Sequence, residues 1–433
     1  HRLVHKSAPG HNRRHRSQPY TTAGSPTVIK VRLNIGDIAM LQACIVRLQN
    51  LWPDADIQVL TDSPERLNQY CAGLTAVAPS FSRRLTSSAA ALPFQSGEQT
   101  RSGDMQFSAR RKRPFNGRID PSWEPSRLRA IRRADLVVCS GGGFVNDVFW
   151  RHAGRVLSFL AVAQRLGKPT AMFSQGIGPL THRVMTRLVT HTMPRMLVIG
   201  LREERASVPI LRSCGVDVSR MRVTGDDALL LTTRPERPAT GAAIGLNVRV
   251  AFYSSIDKTV ADQAVAVATE FATRAGVTTF ALPVSRYKGS SDLEAMQASG
   301  IEPNDTLGDS GPDDILSPQQ LADRAARCRV IVTGSYHAAV FGLAAGVPAV
   351  CITNSTYYDL KFRGLSAQFP GGCHILRLGP RFKHELTKAI DLAWNTGESD
   401  RDKLHSAAQA QVAQGERAYE QFRSLVAATA KRG

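Results

Sequence analysis

Apolar residues recur along this chain in short β-branched runs, each followed by a small or polar turn and then by apolar positions three and four apart. VIKVRLNIGDIAM (28–40) opens with a β-rich run and passes through Asn34, Gly36 and Asp37 into MLQACIVRLQNLW, which has helical spacing. DIQVL reads as the next strand, and TDSPERL as a loop opening a helix. The rhythm fails between Ser80 and Pro125, where ARRKRPFNGRID and scattered Ser and Gly predict a long loop or a poorly ordered insertion. It then returns. ADLVVCSGGG is strand and turn, RVLSFLAVAQRLG a helix, KPTAMFSQGIG strand and turn, RMLVIGLREERAS a strand entering a helix, and RMRVTGDDALL closes the half. The linker TTRPERPATG (232–241) follows. Beyond it AAIGLNVRV, TTFALPVSRYKGS, RVIVTGS and PAVCI read as strands, and TVADQAVAVATEFATRAG and HELTKAIDLAW as helices.

This βαβ order predicts an α/β protein of two open, mostly parallel domains facing each other across the linker. The expected organisation is a basic arm over 1–27, a first domain over 28–235 with its insertion at 81–125, a second over 240–400, and a terminal helix over 401–433. A chain of 433 residues fits two cores better than one. Ligands are then expected at the carboxyl ends of the strands, in the cleft. Val330 to Ile352 carries no formal charge and is nearly long enough to cross a membrane. Gly334, Gly342, Gly346 and Pro348 punctuate it, so it reads as strand, core helix and strand instead.

The formal net charge of +19 points to an anionic partner. About half of the excess sits in residues 1–20, with five Arg or Lys and no acid, and in 81–120, with eight against three. Both stretches have little apolar periodicity, and only Phe107 and Phe115 interrupt 101–118, which is weak aromatic interleaving for nucleic acid. No dedicated nucleic-acid partner is expected, and at most a weak membrane-surface contact through the basic segments. The seven cysteines are scattered without a CxxC, so reduced buried thiols are expected, and neither a zinc site nor any other metal. The basic start is not followed promptly by an apolar stretch with a small-residue cleavage site, and no secretory signal is expected.

Several strand ends carry candidate chemistry. Ser140 to Gly143 is either a tight turn or a cradle whose amides face an anion, with Gly141, Gly142 and Gly143 as the permissive positions. Asn146 and Asp147 follow where a helix would begin, as caps or as partners of a sugar hydroxyl. Gln175 ends another strand, and Asn34, Gly36 and Asp37 end the first. Asp37 is read either as a base for an acceptor hydroxyl or as a helix cap. In the second half Arg249, Arg286, Lys288, Ser335 and His337 lie at or near strand ends, followed by Tyr357, Tyr358, Lys361 and Arg363. The tyrosines and Lys361 fit sugar stacking and phosphate binding or, equally, packing between domains. Asp226 and Asp227 read as structural.

NIGDIAM (34–40), VVCSGGGFVNDVF (137–149), SQGIGPL (174–180), TGDDALL (224–230), the stretch TGSYHAAVFGLAAGVPAV (333–350) and YYDLKFRGL (357–365) together resemble the polysaccharide pyruvyl transferase family. The resemblance extends over most of 28–377 outside the insertion. It implies two Rossmann-like domains in a glycosyltransferase B-like arrangement. It also implies transfer of a pyruvyl group from phosphoenolpyruvate to a sugar of a polysaccharide or glycolipid precursor, forming a ketal. The acceptor would be nucleotide- or lipid-linked, the enzyme cytoplasmic or peripheral at the inner face of the membrane, with no cofactor beyond the donor. In that scheme His337 protonates the donor's methylene carbon and Asp37 acts as base. Arg249, Arg286, Lys288, Ser335, Lys361 and Arg363 hold the donor, and the first-half residues with Tyr357 and Tyr358 hold the acceptor. One departure is visible: typical members carry an arginine shortly before the histidine matching His337, where this chain has Ser335 and Tyr336. The competing readings are a nucleotide-sugar-dependent glycosyltransferase and a non-catalytic scaffold with a basic binding arm.

Overall fold

The β-branched runs pair side by side into two parallel sheets in the computed structural model, which describes residues 26–29, 34–78, 125–248, 250, 254–287, 290–301 and 317–431. The first sheet contains β1 (Pro26–Ile29), β2 (Gln58–Leu60), β3 (Thr75–Val77), β4 (Leu136–Cys139), β5 (Gly142–Val145), β6 (Thr170–Ile177), β7 (Val198–Leu201) and β8 (Met221–Val223). Its order is β3-β2-β1-β4-β6-β7-β8, with β5 added beside β6. The second has the order β10-β9-β13-β14-β15, from β9 (Ala243–Asn247), β10 (Thr279–Ala281), β13 (Cys328–Thr333), β14 (Ala349–Thr353) and β15 (Cys373–Arg377). Between β10 and β13 the short strands β11 (Arg286–Tyr287) and β12 (Ser290–Ser291) form an antiparallel ribbon.

Parallel pairing demands crossovers, and helices supply them. In the first half these are α1 (Ile35–Leu51), α2 (Pro64–Tyr70), α3 (Pro125–Arg133), α4 (Trp150–Arg165), α5 (Arg183–Thr192), α6 (Ser207–Ser213) and α7 (Leu229–Thr232). In the second they are α8 (Lys258–Ala275), α9 (Asp292–Ala298), α10 (Pro318–Ala326), α11 (Tyr336–Ala344), α12 (Thr356–Gln368), α13 (Phe382–Trp394) and α14 (Glu398–Ala430). Alternation along β4 sorts the layers. Val137 and Cys139 join the core under α3, α4 and α5, whereas Leu136 and Val138 join the core containing α1. That second core is continuous with α11, α12 and α14, so the interface between the halves is packed apolar surface rather than open cleft.

The long α14 follows the second sheet in sequence but packs against α1, α7 and β7 of the first. Phe173 of β6 stacks on Tyr419, and Trp52 meets Phe422 edge-on. The chain therefore crosses between halves twice, at 232–241 and again along α14, whose first turns stay with the second half through Arg401 on the Arg329 carbonyl and His405 on the Ala344 carbonyl. Arg237 ties the two crossings together, pairing with Glu398 and with Asp402, the latter at 2.6 Å.

Some local expectations shift. β1 starts at Pro26, inside the segment assigned to the basic arm; residues 1–25 lie outside the described residues, as does the insertion except for Pro125. The terminal helix starts at Glu398 rather than 401. Gly36 and Asp37 lie in the first turn of α1. Asn34 caps it, and Asp37 at the third position reaches back to the Asn34 amide, a reciprocal capping box. Gly142 and Gly143 extend as β5 instead of turning, and α4 begins at Trp150, not at Asn146. The uncharged run 330–352 is the end of β13, all of α11 and most of β14, buried throughout. Among the described residues no helix is long and apolar enough to cross a membrane.

Candidate active site

The carboxyl ends of both sheets point toward one another, and the side chains there come from seven separate segments. β13 leads through Gly334 into Ser335, the N-cap residue of α11. Ser335 is buried, and its amide donates to Thr333 Oγ1 at 2.8 Å. Two residues on, His337 is 8% exposed and lies against the backbone of α1: a Cβ added to Gly36 would fall 2.1 Å from its Nδ1. Only glycine at 36 lets the imidazole sit there. Its Nε2 lies 3.6 Å from Asp226 Oδ2, an electrostatic contact too long for a hydrogen bond. Burial pushes the imidazole below its ordinary range, against the opposing pull of Asp226. His337 is therefore neutral at physiological pH in this arrangement.

Asp226 is held on its other side by Arg202, the first residue after β7, with Nε at 3.0 Å from Oδ2. The same Nε donates to the Ser174 carbonyl at 3.0 Å, and the guanidinium lies 5.0 Å from the centre of the Tyr336 ring. Burial opposes ionisation of Asp226, but Arg202 and His337 outweigh it and hold the carboxyl well below the usual range. Arg202 Nη1 is buried without a hydrogen-bond partner. Ser174 supports this corner at a cost in backbone strain, with φ at +52° where the β6–β7 register shifts. Its hydroxyl accepts from the Asp227 amide at 2.8 Å.

A second cation arrives from the opposite half. Lys361 on α12 donates to Tyr357 Oη at 2.7 Å, and that hydroxyl donates in turn to the Gly143 carbonyl at 2.7 Å. The ammonium sits within 4.4–5.3 Å of the ring centres of Tyr336, Tyr357 and Tyr358. A Cβ at Gly143 would come 2.8 Å from Lys361 Cε, so the glycine permits the close approach of the two halves. Arg202 and Lys361 both line a narrow cleft walled by Gly143, Gly176, Gly178 and Tyr357. Glu203 also borders it, with its carboxylate engaged by the Ala206 and Ser207 amides at 2.8 and 2.9 Å.

The other expected residues separate into groups. Gly143, Tyr357 and Lys361 line the cleft, and Tyr358 is buried in the core behind them. His337 lies beneath the cleft floor, behind Tyr336, together with Gly36 and Ser335. Asn34 and Asp37 cap α1, and Asp37 acts electrostatically on both Arg202 and His337. Gly141 packs under Met40 and Ser174, and Gly142 pairs with Gln175. Asn146 braces the glycine segment by donating to the Gly143 carbonyl at 2.8 Å; Asp147 accepts from Thr181 and His182. Gln175 is buried and donates to the Ser140 and Phe173 carbonyls. Arg363 does not face the cleft; it pairs at 2.7 Å with Asp359, which also holds Arg377. Arg286 is placed only as backbone in β11, and Arg249 and Lys288 lie outside the described residues. Sequence reasoning missed Arg202 and gave Asp226 only a scaffold role. The available signal was an arginine directly after the apolar run LVIGL, at a strand's carboxyl end. Among the described residues no three His, Cys, Asp or Glu side chains group as metal ligands.

Comparison with known proteins agrees with this architecture. The profile of the family described as polysaccharide pyruvyl transferase matches residues 34–356. No curated protein matches the chain significantly. Among solved structures, a putative UDP-N-acetylglucosamine 2-epimerase from Listeria monocytogenes superposes with a TM-score of 0.55 at 14% identity, covering 92% of this chain and 94% of that one. S. aureus MnaA in its UDP co-structure gives 0.52 at 11% identity, with the same two coverages of 92% and 94%. The UDP-GlcNAc 2-epimerase of Methanocaldococcus jannaschii gives 0.51 at 14%, covering 86% and 92%. These likenesses establish the fold: two parallel, helix-flanked sheets in a glycosyltransferase B-like arrangement.

Proposed function

The chain belongs to the polysaccharide pyruvyl transferase family, and we propose that it moves a pyruvyl group from phosphoenolpyruvate to a sugar acceptor, closing a pyruvate ketal. The observation that carries this reading is the convergence of Arg202 and Lys361, one from each half, on a glycine-walled cleft. A donor bearing both a carboxylate and a phosphate needs two cations and close backbone approach. Arg202 Nη1, buried and without a hydrogen-bond partner, has a donor to offer an incoming oxyanion. Arg202 thereby fills from the other half the role left open by the missing arginine before His337.

In the proposed reaction His337 delivers a proton to the methylene carbon, the adjacent carbon becomes oxocarbenium-like, and an acceptor hydroxyl adds to it. Asp37 takes that hydroxyl's proton. Phosphate then leaves with the electron pair of its C–O bond, a second hydroxyl adds to the carbon it vacates, and that hydroxyl's proton passes to His337. A bound dianion next to Arg202 favours the imidazolium that the empty site disfavours. Because His337 lies below the cleft floor, it reaches a substrate carbon only when the two sheets part at the Gly36 contact. The acceptor is nucleotide- or lipid-linked, and the donor assigns the work to the cytoplasm.

A second reading is transfer of a sugar from a nucleotide-sugar donor. The fold likeness supports it more directly than it supports the first donor, since the relatives named above are UDP-GlcNAc 2-epimerases or carry UDP. Here Arg202 and Lys361 would hold the diphosphate. Incubating the protein with phosphoenolpyruvate, UDP-sugars and a panel of nucleotide- and lipid-linked acceptors, with mass spectrometric readout, separates the two. A pyruvyl mass gain that needs phosphoenolpyruvate supports the first reading; a hexosyl gain that needs only the UDP-sugar replaces it with the second.

A further inference from the structure

Apart from the cleft, one surface of the first half stands out in charge. From Val148 to Arg202 the sequence contains no Asp or Glu, and none occurs in α3 either. These residues form α3, α4 and α5, the layer that covers the outer face of the first sheet over a single core. Their exposed positions carry Arg129, Arg132 and Arg133 on α3, Arg151 on α4, and Arg183 and Arg187 on α5. Among the described residues the acids beside this layer are Asp135, two residues past α3, Asp62 and Asp147. Asp62 is shared between Arg127 and Arg155, and Asp147 is used by the Thr181 and His182 amides. His191, at the end of α5, is pushed below its ordinary range by partial burial and by Arg195 and Arg165, as expected in a field of like charge.

The same surface exposes large apolar side chains. Val148 and Trp150 are 37% and 39% exposed at the start of α4, and Leu166 is 41% exposed just past its end. Trp150 stacks one face on His182 and has Arg151 over its ring at 5.2 Å. It is one residue from Phe149, whose ring packs on Tyr357 at the cleft wall, 5.6 Å between centres. Arginines surrounding an exposed tryptophan and aliphatic side chains suit the interface of an anionic bilayer, where the charge meets headgroups and the rings enter the acyl boundary. Single-stranded nucleic acid would want aromatic platforms along the basic stripe, and α5, RVMTRLVTHT, has none.

We propose that the α3–α4–α5 face, with Val148 and Trp150 as its apolar edge, docks on an anionic membrane surface and turns the mouth of the cleft toward it. The inference rests on the surface itself and stands whichever donor the enzyme uses. The test is flotation of the full chain with vesicles of phosphatidylcholine containing roughly one-third phosphatidylglycerol, against phosphatidylcholine alone, at about 0.05 M and about 0.5 M salt. Binding to the anionic vesicles that weakens with salt is expected. The triple variant R129E/R183E/R187E should lose roughly a hundredfold in partitioning, taking about fivefold per arginine removed, while its circular dichroism and melting stay near those of the parent. R274E/K383E/K388E on the second half, with the same change in net charge, should bind far better than the first variant. Brominated acyl chains should quench part of the tryptophan emission in the parent and less in W150F. The proposal is overturned by absence of vesicle binding, by equal loss in both triple variants, by quenching that W150F does not change, or by RNA binding lost in the first variant without vesicle binding in the parent.

Discussion

Asp226 and Asp227 are neighbours in sequence, both buried, and each bound to a buried arginine, yet they serve different regions. Asp226 turns toward the cleft, to Arg202 and His337. Asp227 turns toward the outer helices, where Arg47 of α1 donates to Oδ1 at 2.6 Å and Tyr419 of α14 to Oδ2 at 2.9 Å. The electrostatic outcomes also oppose one another. Asp226 is lowered because Arg202 and His337 outweigh burial; Asp227 is raised because burial outweighs Arg47 and Tyr419. Both Asp227 oxygens accept hydrogen bonds, from Arg47 and Tyr419, although Arg47 Nε beside them has no partner. On the Asp226 side three buried atoms have no hydrogen-bond partner, Asp226 Oδ2, Arg202 Nη1 and His337 Nε2, so more polar capacity is left open toward the cleft than toward the outer helices.

The sharpest test of this contrast is chemical. His337→Asn should cut turnover by about a thousandfold or more, the range of a lost general acid plus its positioning, with melting close to that of the parent. Near-normal turnover in a purified assay would remove His337 from the mechanism. On the scaffold side, Asp227→Ala leaves Arg47 charged and buried, and should cost about 3–5 kcal/mol in denaturant unfolding. The activity of the fraction still folded should be nearly unchanged; a selective loss of turnover would dissolve the distinction. Arg202→Lys keeps a charge but not the planar fork, and should raise the KM for the anionic donor about tenfold while leaving the fold intact. Tyr419→Phe removes one neutral donor from the scaffold and should cost only about 1 kcal/mol.

The smallest expected effect is in pH. His337 is depressed when folded, so it contributes stability above its unfolded value near 6.5, and that contribution is lost as pH falls below it. The parent should therefore lose more stability than H337N between neutrality and mildly acid pH. Asp227 has the opposite sign. Raised when folded, it favours the fold most below the unfolded carboxylate value, and that advantage fades as pH rises through the folded one. D227N should lack this second trend, and its persistence in that variant would place the titration elsewhere.

Much of this architecture was legible because parallel strands buried on both faces leave continuous β-branched runs, such as CRVIVT and AVCIT. Boundaries were harder where polar residues have two uses. Asp37 reads equally as a base or as a helix cap, and only the closed capping box with Asn34 shows that it caps α1. Three glycines look like a turn, although two of them continue as a strand. The site was the least legible part, since Arg202 and His337 lie on opposite sides of the linker and meet only through tertiary packing. In REER the position directly after the strand marks Arg202 and Glu203 as candidates, but the sequence does not say that these two are buried while Glu204 and Arg205 stay exposed. The TGDD pair likewise reads as one unit until the two carboxylates are seen to point apart.

Arg237 joins the two places where the chain passes between halves. Two connections in different places would lock the halves together, and one connection alone would let them tumble independently. Two straps clasped side by side act as one tether. Gly36 on His337 and Gly143 on Lys361 are both contacts across the halves, so parting the halves at this seam breaks the two together. The glycines thus mark a seam where two surfaces meet with no side chain between them.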